Sequence, residues 1–253
     1  MGIGYVLGCL LSILFKKIDK YKILEKVYHK SKKIIKADIL FIVILAVFFI
    51  ALKYAFMIIS DEEIKNFVTF IICIDISNTE FVNLKNKGNK NFYNSISTIT
   101  KALVGGFIGP VLYAALFGNL FAVFYYILFL TNDILDKKLT NILIRILNII
   151  PAFLAGLLFY LIYIIRYKTF KIDFKGDFFI NSILNPLLNL NIIAANLESI
   201  NFYYFKSDYD IKNYGSGKCS IDSICIKEFL NHTYFVCLIS FIIFIVIEIF
   251  AVI

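Results

Sequence analysis

The chain has 253 residues, 60% of them hydrophobic, with a mean hydropathy of +0.82 and a formal net charge of +8. Soluble domains are about 45–50% apolar, so this composition excludes an ordinary soluble domain and points to an integral membrane protein. The charge excess sits in one segment, Lys16–Lys36, where nine lysines face only Asp19 and Glu25. That segment adjoins two apolar blocks and has no aromatic stacking pattern, so nucleic acid is excluded as a partner.

A transmembrane helix needs about 20 apolar residues, and the chain gathers its apolar residues into blocks of that size. Residues 1–15 form a short uncharged segment. Its lysine cluster follows the apolar core instead of preceding it, so the expectation is a retained membrane segment and not a cleaved signal. The polar stretch 16–38 follows, then a span over 39–59 whose one charge is Lys53. Within the mixed region 60–101, the apolar run Asn66–Ile76 is too short to cross and is expected to be a packed or interfacial helix. Spans are expected over 102–130, 146–165 and 233–253, the last with Glu248 as its one charge. A large polar region, 166–232, separates the last two. There is no internal repeat. The expected fold class is all-α: a single polytopic membrane domain, 1–253, with about five transmembrane helices, one of them open to a break. The expected location is the cell membrane, multi-pass, with the basic loop 16–36 in the cytoplasm.

The candidate break lies in Gly105–Tyr126, GGFIGPVLYAALFGNLFAVFYY, which is uncharged yet carries three separate kinds of backbone punctuation. Gly105-Gly106 permits close backbone approach and Pro110 removes a helix hydrogen bond. The 29 apolar residues of 102–130 exceed what one straight span requires. They form either a kinked span packed through small residues or two half-helices separated near Gly118-Asn119. Further on, Lys168–Ile180 alternates apolar Phe170, Ile172 and Phe174 with polar neighbours and reads as extended. Asn181–Ser199 carries Asn185, Asn189, Asn191 and Asn196 among Leu and Ile. It is either an interfacial helix with its Asn facing water or the wall of a pocket.

Isolated chemistry is sparse. Gly215-Ser216-Gly217-Lys218 resembles the end of a phosphate-binding loop, but Lys212 stands where the first glycine belongs and Cys219 follows the lysine. A polar turn explains it. Asp61-Glu62-Glu63 reads as a helix-starting cluster. Asp208 and Asp210 are loop acids with little claim to Mg²⁺. Lys53 and Glu248 lie near span ends, where each side chain can snorkel. His29 and His232 have no Cys or His at metal-ligand spacing, so no protein-bound zinc or other metal is expected. Cys219 and Cys225 share a polar loop and form a disulfide only if that loop is extracytoplasmic.

Several stretches resemble, in the same order, a known family. Gly106-Phe107-Ile108-Gly109-Pro110-Val111-Leu112-Tyr113-Ala114-Ala115-Leu116 is similar to the DGhhAPLFYAhL stretch of the CobD/CbiB membrane proteins, the adenosylcobinamide-phosphate synthases of cobalamin biosynthesis. Tyr126–Asp133, YILFLTND, stands where that family has YKAINTLD. Asn148-Ile149-Ile150-Pro151-Ala152 resembles NYIPAR, Asn185-Pro186 falls at SPNAG, and Tyr203-Tyr204-Phe205 resembles NYYFG. The chain's three prolines all fall in these places.

The resemblance implies a membrane ligase that joins aminopropanol, or its phosphate, to adenosylcobyric acid, using ATP and Mg²⁺ and a corrinoid substrate. It implies Asp133 as a catalytic residue, Asn148, Asn185 and Tyr203 as binding residues, and other cobalamin-pathway membrane proteins as partners beside the lipid bilayer. The departures bear on activity. Lys101–Gly106 lacks both acids of the family's E-N-x-x-D-G. Ile76–Thr79 stands loosely at its R-D-T without Arg or Asp, and Phe153 replaces the Arg of NYIPAR. One acid without a second ligand is a poor magnesium site, so the resemblance leaves two expectations, a diverged ligase or a relative that binds or scaffolds. A regulatory protein without enzymatic activity, or a small transporter component, is the alternative. If the family's charged motifs at both ends of 101–133 line one site, this segment folds as a broken hairpin around Gly118-Asn119.

Overall fold

The computed structural model describes residues 2–14, 20, 26, 38–76, 92–135, 138–207, 210–215 and 223–251. Most of the basic loop 16–36, Asp208 and Cys219 lie outside them. The described residues are mostly helical, with helices α1 (Ile3–Leu14), α2 (Asp38–Ile58), α3 (Glu62–Cys73) and α4 (Phe92–Leu103). A π-helical turn, Val104–Ile108, leads into α5 (Gly109–Phe117), α6 (Asn119–Leu135), α7 (Lys138–Leu147) and α8 (Ile149–Tyr167). Helices α9 (Phe178–Leu184) and α10 (Pro186–Leu197) precede a two-stranded antiparallel hairpin, β1 (Phe202–Ser207) and β2 (Asp210–Tyr214), and the long α11 (Ser223–Ala251).

Among the described residues, three helical stretches are long and apolar enough to cross a membrane: Ser95–Phe117, Ile149–Tyr167 and Cys225–Phe250. Shorter apolar helices cover Ile3–Leu14, Ala46–Ile58, Asn119–Asn132 and Pro186–Leu197. The expected block 102–130 is divided at Gly118, whose φ of +83° is a left-handed conformation that favours glycine. Its first half also begins earlier than the hydropathy suggested, because Ser95–Lys101 continues the same helical run. The last helix starts ten residues before the expected 233, taking in the mixed sequence around Glu228 and His232. Of the stretch Lys168–Ile180 expected to be extended, residues 169–174 have no regular structure and pair with no strand among the described residues, Lys175-Gly176 is a turn, and residues 178–180 are helical and open α9.

The chain divides into two compact units. The first comprises residues 1–79, 105–144 and 241–253. Its base is the packing of α1 on α3. Gly4 and Gly8, four residues apart on one face of α1, let the backbones meet: a Cβ at Gly8 would stand 2.6 Å from the Phe67 carbonyl oxygen. Small residues at this spacing are a common device for helix approach in lipid. Asp61 caps α3 by accepting from the Glu63 and Ile64 amides, and Glu63 in turn accepts from the Gly4 amide at 2.7 Å. The acidic cluster is therefore a pair of helix starts. Tyr5, Phe70 and Phe244 form an aromatic core with ring centroids 4.5–5.4 Å apart.

The second unit comprises residues 80–104 and 145–240. At its centre is α10, packed against α4, α8 and α9. Asn189 and Asn191 are buried, which overturns the water-facing helix as a reading of Asn181–Ser199. Hydrogen bonds offset much of that burial: Asn191 accepts from the Thr100 hydroxyl, and Asn189 donates to the Phe178 carbonyl and the Ser182 hydroxyl at 2.7 and 2.8 Å, while Asn189 Oδ1 has no partner among the described residues. The hairpin pairs Phe202 with Tyr214 and Tyr203 with Asn213.

Candidate functional site

Two places combine polar chemistry with burial, one in each unit. In the first unit, Gly118 turns the chain so that α5 and α6 lie antiparallel. A Cβ at Gly109 would stand 2.3 Å from the Tyr125 ring, and one at Gly105 would stand 2.1 Å from the Phe129 ring. The punctuation of Gly105–Tyr126 thus has two functions: its glycines seat two aromatic rings and its Gly-Asn reverses the chain. The segment is a broken hairpin and not a kinked single span.

At the open end of that hairpin, the peptide after α3 is stitched to the π-helical turn. The Asp75 amide donates to the Gly106 carbonyl at 2.9 Å, and the Tyr126 hydroxyl donates to the buried Asp75 carboxylate at 2.5 Å. Lys20 reaches in from the basic segment. Its ammonium donates to the carbonyls of Ile71, Ile72 and Ile74 at 2.8–2.9 Å and lies 5.6 Å from the Tyr126 ring centroid. Ser12 also donates to the Ile74 carbonyl. A cation at the C-terminal end of α3 answers the orphan carbonyls and the negative end of the helix dipole. Burial pushes the Lys20 ammonium below its ordinary value, with the nearby Asp75 charge opposing that shift. All three ammonium protons are engaged, so Lys20 holds structure in this arrangement.

In the second unit, a cavity of about 300 Å³ lies between α8, the extended strap 168–177, α9 and α10. Its lining includes Ile149, Ala152, Phe153, Gly156 and Leu157 of α8, Phe170, Ile172 and Phe174 of the strap, and Pro186 and Ile193 of α10. Polar groups come from Tyr160, Ser182 and Asn189. The strap is held by two tyrosines of α8: Tyr160 donates to the Phe170 carbonyl at 2.8 Å and Tyr163 to the Lys171 carbonyl at 3.0 Å. The same unit holds a charge cluster. Glu198 is buried, shares a hydrogen bond with His232 Nδ1 at 2.9 Å, and lies 3.7 Å from Arg166, which is 3.6 Å from Glu228. Burial pushes the Glu198 carboxyl up, while His232 and Arg166 pull it back.

No family model matches the chain, and no curated protein or solved structure matches it either.

The residues named from sequence fall as follows. Asp133 lies on α6 in the first unit, and its side chain is outside the described residues. Tyr203 lies on β1 opposite Asn213, and its side chain is likewise outside them. Asn148 is buried immediately before α8, and Asn185 immediately precedes α10. Each adjoins a cavity-lining residue, Ile149 and Pro186 respectively. Among the described residues, no group of three or more His, Cys, Asp or Glu is placed to hold a metal ion. Cys225 carries a free thiol. Sequence reasoning missed Asp75 and Lys20. Asp75 directly precedes Ile76–Thr79. Lys20 is one of nine lysines in a run, with no local signal to single it out.

Proposed function

We propose that this chain is a multi-pass membrane protein related to the CobD/CbiB proteins, serving cobalamin metabolism by binding and not by ATP-dependent ligation. The observation that carries the reading, against ligation and not for a corrinoid's place, is the apolar wall built where the resembling stretches fall. Two stretches with family resemblance, Asn148–Ala152 and Asn185-Pro186, supply Ile149, Ala152 and Pro186 to its wall, and Phe153 lines it where the family has Arg. Phosphoryl transfer requires cationic and metal groups aimed at developing charge, and an apolar wall with Phe153 in place of a guanidinium offers none. The relationship itself draws support from the hairpin, whose two arms bring Gly106 and Tyr126 onto one acid, Asp75, directly before Ile76–Thr79.

In this reading the five apolar blocks lie in the cell membrane with the loop 16–36 cytoplasmic, and the bilayer, a corrinoid and other membrane proteins of the pathway are its partners. A ligase would instead require ATP and Mg²⁺ with the corrinoid as substrate. The test is expression in a strain lacking its own synthase, with membrane insertion verified by fractionation. Growth on cobinamide but not on cobyric acid is expected, and growth on cobyric acid overturns the loss of ligation. In parallel, purified protein in detergent is dialysed against cobinamide and read by visible absorbance. Retention is expected, and none at tens of micromolar removes the corrinoid from the proposal.

A further inference from the structure

The cavity of the second unit has the wrong surface to enclose a corrinoid, so any corrinoid contact lies outside it. Its space of about 300 Å³ is walled almost wholly by aliphatic and aromatic side chains, which suit an alkyl chain and not the amide-fringed edge of a macrocycle. Its wall is also continuous with the outer surface of a membrane-length helix. Phe153 and Leu157 line the cavity and are at the same time 57% and 44% exposed. They belong to Ile149–Tyr167, one of the three helices able to cross a membrane. In a bilayer, that exposed side of α8 faces acyl chains, so the cavity opens laterally into lipid.

The strap indicates the depth. Backbone without regular structure is tolerated in a membrane only where protein or water satisfies it. Here the hydroxyls of Tyr160 and Tyr163 serve the strap carbonyls, and tyrosines mark the headgroup level. Phe170, Ile172 and Phe174 line the cavity, whereas the alternating Lys171 and Asp173, and Lys175 in the turn that follows, are exposed. With Lys168, which is also exposed, the strap carries three lysines against Asp173 and Asp177.

From this apolar, laterally open cavity under a basic strap, we propose that the cavity is a lipid site that takes one acyl chain of an anionic phospholipid. The proposal rests on the membrane placement argued above and on nothing in the corrinoid reading.

The chain has no Trp, so a single introduced indole reports its own surroundings. Phe174→Trp places a reporter in the cavity. Leu238→Trp places one on a lipid-exposed face of α11, where Leu238 is 55% exposed. The full chain is reconstituted in phosphatidylcholine bilayers with increasing fractions of phosphatidylglycerol brominated on its acyl chains, and in the converse mixture. The α11 reporter is expected to be quenched equally by both lipids. The cavity reporter is expected to prefer brominated phosphatidylglycerol by about fivefold, the effect of one lysine at headgroup level. Gly156→Leu in the Phe174→Trp background fills the cavity, since a Cβ at Gly156 meets only Ile193 Cδ1 at 3.4 Å, and should reduce quenching of the cavity reporter at least threefold. Ala152→Phe provides an independent filling variant if Gly156→Leu does not fold.

Quenching of the α11 reporter with none of the cavity reporter overturns the lipid site. Quenching of the cavity reporter without headgroup preference overturns its anionic part. No quenching of the α11 reporter overturns the membrane placement itself.

Discussion

Lys20 shows what the fold extracts from a charge run. None of the nine lysines between 16 and 36 has an evident individual task in the sequence, yet Lys20 closes three carbonyls at the end of α3. Hydrogen bonds from a charged group contribute about 1.5–3 kcal/mol net. Lys20→Met therefore should lower stability by about 2 kcal/mol, read as a fall in the thermal unfolding midpoint in detergent, whereas Lys26→Met, at an exposed residue, should leave the midpoint in place. Equal midpoints for the two variants would remove Lys20 from the frame of the site.

Glu198 gives a pH prediction at the same scale. Its folded carboxyl titrates above the ordinary carboxylate value because burial disfavours the charge. In that window the native state holds more protons than the unfolded state, so stability is fully present below the unfolded value and falls as pH rises through the folded one. Arg166 and His232 lessen the loss, and Glu228 adds to it. The unfolding midpoint of the wild-type protein is expected to decline from the ordinary carboxylate range upward. Glu198→Gln should flatten that decline, and an unchanged slope would assign it to other carboxyls.

At the scale of elements, the hairpin of α5 and α6 separates two uses of glycine that look alike in sequence. Gly118 has a φ of +83° and a ψ of 178°, a region essentially glycine's alone, and open space around it, so a methyl group there meets only backbone strain, about 1–3 kcal/mol. Gly105 lies under the Phe129 ring, and its methyl group would meet ring atoms at 2.1–2.4 Å. That overlap displaces the ring or the helix, at a cost of about 1–3 kcal/mol or more. Gly118→Ala should therefore leave the Tyr126–Asp75 contact intact, while Gly105→Ala should disturb it. Ultraviolet difference spectra of the tyrosines during unfolding read both. The turn itself was legible, because Gly-Asn inside an apolar block is a break signal. The seating of Gly105 on Phe129 and of Gly109 on Tyr125 was not, since it depends on which residues the hairpin brings opposite one another. The asparagines of α10 were ambiguous for a related reason: a polar stripe looks the same whether water or Thr100 and Ser182 satisfies it.

For the whole molecule, hydropathy located the apolar blocks but not their boundaries. Membrane-length helices extend past the blocks where mixed sequence continues the helix, as at Ser95–Lys101 and at Cys225–His232. The second of these extensions carries a prediction about topology. Arg166, at the C-terminal end of α8, bridges Glu198 and Glu228, and Glu228 sits in the first turns of α11. A charge cluster is tolerated near a membrane surface and costly at its centre, so the end of α8 and the start of α11 are expected on one face of the bilayer. If α11 crosses, its C-terminal end lies on the other. A membrane-impermeant maleimide therefore should label Cys225 and Lys168→Cys from the same side of sealed vesicles, each tested as the single cysteine of the chain, and Phe250→Cys from the opposite side. Labelling of all three from one side would mean that α11 lies along the membrane and does not cross it. The lateral opening of the cavity on α8 would then need a different explanation, because the strap, the cluster and that helix end belong to one unit and take their depth together.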